Sequence, residues 1–80
     1  MREKEGSATF HSFFLAEFPR LVAMLRVWSN SSVSAEDLAQ DALIRAEADW
    51  DRVRTLDNPG AWVRRVALNR SSNEHRRLRR

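Results

Sequence analysis

From Phe10 to Trp28 apolar side chains return every third or fourth residue: Phe10, Phe13, Phe14, Phe18, Leu21, Met24, Leu25 and Trp28. That is the period of an α-helix with one buried stripe, and it predicts a helix over 9–28. Pro19 lies inside the run. It removes one backbone hydrogen bond, which predicts a kink near Leu15 to Phe18 rather than a stop. The stretch Ser29-Asn30-Ser31-Ser32 reads as the break that follows. Ser34, with Asp37 three residues on, has the form of a capping box in which the shorter Asp replaces Glu. A second helix is expected from about Ala35 to Trp50 or a little beyond. Its inner face is Ala35, Leu38, Ala39, Ala42, Leu43, Ala46 and Trp50, with alanines small enough for a second helix to approach closely. After the break Arg54-Thr55-Leu56-Asp57-Asn58, Asn58 is a candidate N-cap and Pro59 a natural first helical residue. The third helix then runs toward the C-terminus with Val63, Val66 and Ala67 inward. The expectation is an all-α fold, a small bundle of three main helices over residues 9–80, with 1–8 as a flexible N-terminal arm.

Composition agrees. A chain of 80 residues suffices for one domain, and two Gly and two Pro are too few for a turn-rich β protein. With no Cys, disulfides and Cys-containing zinc sites are excluded. The N-terminus has no apolar core of a secretion signal and no apolar run matches a bilayer, so a cytoplasmic protein without membrane insertion is expected. The net charge of +3 conceals a strong polarity. Met1 to Gly60 carries seven Lys/Arg against ten Asp/Glu, whereas Ala61 to Arg80 carries seven Arg against Glu74 alone. A basic end of this kind suits a polyanion and leaves the acidic part to meet something basic.

Two surfaces carry that chemistry. On a helical wheel the second helix turns Asp37, Gln40, Asp41, Ile44 and Ala48 outward. An acidic helix face is commonly just a solvated one. An isoleucine ringed by two carboxylates and an amide is instead the makeup of a small interface, an apolar anchor with a polar rim. On the third helix, Trp62, Arg65, Asn69, Asn73 and Arg76 fall at i, i+3, i+7, i+11 and i+14, within a stripe of about 80° beside the core face. Arginines bind phosphates, asparagines pair with an adenine edge, and a tryptophan ring can stack an unpaired base. The bland readings are core packing for Trp62, surface filling for the asparagines and an unspecific basic tail for the last arginines. His11 and His75 stand far apart, with no ligand partner at helical spacing, so no metal is expected. There is no glycine-rich phosphate loop and no general base beside Glu36, Asp37 and Asp41. Neither catalysis nor a cofactor is expected.

With both faces in view, the chain resembles a known family. Residues 34–46, SAEDLAQDALIRA, resemble the polymerase-binding segment of bacterial sigma factors. Residues 58–80, NPGAWVRRVALNRSSNEHRRLRR, resemble the segment that melts and reads the −10 promoter element. The spacing and the aromatic helix ahead of them are similar as well, over about 9–80. The nearest group is the extracytoplasmic-function (group IV) sigma factors of the sigma-70 family, and the chain looks like their region 2. The resemblance implies that Asp37, Gln40, Asp41 and Ile44 dock on the clamp helices of the RNA polymerase β′ subunit. It implies that Trp62, Arg65, Asn69, Asn73, Arg76 and Arg77, with the loop from Arg54 to Asn58, hold non-template bases of the −10 element. It also implies an anti-sigma factor as a further partner. The family usually has an aromatic where Glu47 stands and often an aspartate where Asn73 stands. Its −35-reading region 4 domain is missing here, so a domain fragment is expected, with a natural single-domain protein as the alternative. The competing expectation is an all-α protein-interaction domain whose basic C-terminal helix binds any nucleic acid. The two differ in strand and sequence preference.

Overall fold

In a computed structural model of the chain, the backbone is described for residues 2–28 and 34–79 and the side chains for 10–28 and 34–71. Four helices follow in order: α1 (Arg2–Trp28), α2 (Ala35–Ala48), α3 (Trp50–Val53) and α4 (Pro59–Arg79). No strand occurs among the described residues, and the fold is all-α. The break expected at 29–32 lies outside the described residues.

α2 lies against both α1 and α4, and α1 also touches α4. The alanines make this central position workable. Ala39, Ala42 and Ala46 are fully buried beside Leu38 and Leu43, and they close on Leu21 and Leu25 of α1 and on Val63 and Ala67 of α4. The helix starts follow their sequence signals. The Ser34 hydroxyl accepts the Asp37 amide at 3.0 Å, and Asn58 Oδ1 accepts the Ala61 amide at 3.0 Å. Each takes up an N–H that has no intrahelical partner.

Three expectations need correction. First, α1 begins at Arg2, not Thr9, so most of the segment read as an arm is helical. Arg2 to Glu5 are strong helix formers, and the unfavourable Gly6 costs only about 1 kcal/mol. The helix passes through Pro19 without ending. Second, Trp28 belongs to the apolar stripe by spacing, yet it is 73% exposed. The Arg26–Glu36 ion pair (3.0 Å) marks where α1 passes the first turn of α2, and Trp28 lies beyond it. Third, the second helix stops at Ala48, and a separate turn of helix, α3, makes a fourth element. Asp49 leaves helical geometry (φ −118°, ψ 28°) while its amide still reaches the Arg45 carbonyl. The break swings Trp50 into an aromatic nest on α1. Its ring lies 5.2 Å from Phe10, edge-on, and 5.0 Å from Phe13. Aromatic pairs at such separations add about 0.5–1.5 kcal/mol beyond their buried area.

Candidate functional site

The outward face of α2 is laid out as its spacing predicts. Asp37, Gln40, Ile44 and Ala48 are exposed, and Ile44 keeps 60% of its surface in water. Asp41 differs from its neighbours. It is half-buried, and its carboxylate accepts a hydrogen bond from Arg70 Nη2 of α4 at 3.3 Å. Arg70 Nε is buried and has no acceptor. The acidic face of α2 and the basic helix are thus in direct contact through one ion pair.

Along α4, Trp62 is half-buried and packs on the core, while Arg65 and Asn69 are exposed. The helix backbone continues to Arg79. The side chains of Asn73, Arg76 and Arg77 lie outside the described residues. In the preceding loop Arg54 is exposed, 3.8 Å from Asp51. Asn58 is exposed and commits its side-chain oxygen to capping α4.

Three features escaped the sequence reading. Arg52 of α3 lies over the ring of Trp62, its guanidinium carbon 5.5 Å from the ring centroid. The same guanidinium donates to Asp49 Oδ2 at 2.6 Å. The face of Trp62 expected to be open is therefore covered by a cation. The Asp41–Arg70 pair was not foreseen either. Nor was Glu17, whose side chain on α1 is only 9% exposed and pairs with Arg64 Nη1 at 3.1 Å. A Cβ on Gly60 would stand 2.9 Å from Glu17 Oε2 and 3.0 Å from Arg64 Nη1. Gly60 thus allows α1 to bring a carboxylate against the first turn of α4. The signal for it was present: Glu17 sits at helical spacing between Phe14 and Leu21, on the buried stripe. A carboxylate there needs a partner.

No group of His, Cys, Asp and Glu that could hold a metal occurs among the described residues. No described helix is long and apolar enough to cross a membrane.

The acidic, isoleucine-bearing face of α2 and the tryptophan-, arginine- and asparagine-bearing helix α4 thus lie side by side. The sequence profile described as Sigma-70 region 2 matches residues 13–80, and the chain belongs to that family. Members of the family are transcription initiation factor domains that bind RNA polymerase core and recognise the −10 element of promoter DNA. No curated protein and no solved structure is significantly similar to the chain.

Proposed function

We propose that this domain works as region 2 of an extracytoplasmic-function (group IV) sigma factor in the cytoplasm. α2 docks through Asp37, Gln40, Asp41 and Ile44 on the clamp helices of the β′ subunit. α4 and the loop before it open the −10 element and read its non-template strand through Arg54, Asn58, Trp62, Arg65, Asn69, Asn73, Arg76 and Arg77. An anti-sigma factor that covers either face would hold it inactive. The observation that carries this reading is the exposure of Ile44 between carboxylates, on the helix that packs directly beneath the basic one. A large aliphatic side chain held in water one turn from Gln40 and Asp41 gains from a partner that covers it and supplies basic residues around it.

The test has two arms. The chain is titrated with RNA polymerase core, with and without Asp37→Lys. It is also titrated with single-stranded non-template −10 DNA and with the matching duplex. Binding to core that Asp37→Lys abolishes, together with preference for the unpaired strand, is the expected result. Equal binding to strand and duplex that disappears with salt would identify a general basic surface instead.

A further inference from the structure

Asp49, Arg52 and Trp62 come from the α2–α3 turn, α3 and α4, and the fold brings them together around the Arg52 guanidinium. Arg52 uses two nitrogens of one edge, Nε and Nη2, on the same oxygen, Asp49 Oδ2, each at 2.6 Å. That grip fixes the orientation of the guanidinium plane. Its guanidinium carbon lies 5.5 Å from the centroid of the Trp62 ring, and the side chain remains 55% exposed. Both supports are themselves fixed. Trp62 packs on the core, and Asp49 is next to Trp50, which is locked among Phe10 and Phe13.

We propose that Arg52 is a further strand-binding residue. An unpaired promoter base stacks on its guanidinium plane, with Trp62 as the layer beneath and Asp49 as the anchor. This rests on the strand-reading function proposed above and changes its geometry, because the indole face assigned to the base is already occupied. Guanidinium is planar, delocalised and weakly hydrated, and bases stack on it as they do on aromatic rings. Its charge is largely spent on Asp49. Arg52 therefore acts through shape more than through phosphate attraction. That separates it from the exposed Arg65, which has no ion-pair partner among the described residues and acts through charge.

The decisive substitution is Arg52→Lys, which keeps the charge and removes the plane. The 80-residue chain is titrated with a short single strand rich in A and T, and with copies carrying one abasic site at each successive position. Base stacking of this kind accounts for a factor of about five or more in affinity. Arg52→Lys should lose about that factor on the intact strand, with an unchanged salt slope. At one abasic position, wild type and Arg52→Lys should bind equally, because the stacked base is already gone. Thermal melting separates this from loss of fold, and Asp49→Ala should weaken dependence on the same position. Equal affinity of wild type and Arg52→Lys on the intact strand overturns the proposal. So does a loss that persists at every abasic position, and so does tighter binding by Arg52→Ala, which would mean the base displaces Arg52 and stacks on Trp62 itself. If wild type binds duplex as well as strand, the strand-reading function itself fails, and the stacking site goes with it.

Discussion

Leu43 and Ile44 are adjacent and isomeric, and they differ only in surroundings: Leu43 is 0% exposed and Ile44 60%. Replacing each by alanine separates a folding residue from a binding residue. Leu43→Ala empties a site enclosed by α1 and α4 and should cost about 2–5 kcal/mol. A domain of this size has roughly 4–12 kcal/mol in total, at about 0.05–0.15 per residue. Its melting temperature should therefore fall by roughly 10 °C or more, at about 4–8 °C per kcal/mol. For Ile44 the sum is different. Full burial of such a side chain is worth about 1.5–3 kcal/mol. With 60% of the residue already in water, truncation removes less than about 1 kcal/mol, and the better helix propensity of alanine offsets some of that. Stability, followed by circular dichroism in urea, should barely change. Affinity for polymerase core, followed by fluorescence anisotropy, should drop by about fivefold or more, as for an interface anchor. A loss of more than about 2 kcal/mol of stability in Ile44→Ala would show that the side chain is buried. Unchanged core affinity would remove it from the interface.

Asp37→Lys should weaken core binding and lower the melting temperature slightly, through the lost carboxylate at the N-terminus of α2, whereas Asp41→Lys should lower it further, because the new lysine would face Arg70; equal melting curves would contradict the Asp41–Arg70 contact. Gly60→Ala should change stability by less than about 1 kcal/mol in chemical denaturation, since its methyl group meets only the flexible ends of Glu17 and Arg64 and the better helix propensity of alanine offsets their displacement; a loss of more than about 2 kcal/mol would mean that the Glu17–Arg64 pair cannot move aside. Asn69→Ala should reduce discrimination at one −10 position by about 1–3 kcal/mol in binding to single-base variants; uniform losses at all positions would leave Asn69 without a reading role. The domain alone should bind duplex DNA more weakly than about 10⁻⁸ M at physiological salt, and tighter binding would be the behaviour of a self-sufficient repressor.

What was legible in the sequence depended on whether the signal was local. The caps at Ser34 and Asn58 act within three residues, and both helix starts fall where they predict. The inner face of α2 was legible because its alanines and leucines repeat at helical period, and the exposure of Ile44 follows from the same wheel. The break at Asp49 was not legible. It depends on Phe10 and Phe13, far back in the chain, competing for Trp50. The pairings of Glu17 with Arg64 and of Asp41 with Arg70 are likewise long-range, joining residues 47 and 29 positions apart. A wheel shows which side of a helix a charge occupies, and it cannot show which charge on another helix meets it. The same limit applied to Trp62. Its stripe was visible, while the arginine lying over it comes from an element that periodicity does not resolve.

The Glu17 contact has a consequence for the order in which the domain assembles. α4 has no acidic residue in its first turn, so nothing within it balances the positive end of its dipole. The arginine that follows one turn later, Arg64, adds charge of the same sign. The missing carboxylate arrives from α1, across the opening that Gly60 leaves. A nucleus of helix is costly to form in isolation, and this one begins with Pro59 and Gly60, the latter a poor helix former. Helix α4 should therefore be a late and conditional structure, formed only where the first helix is already beside it. Cut free as a peptide, it should be largely coil.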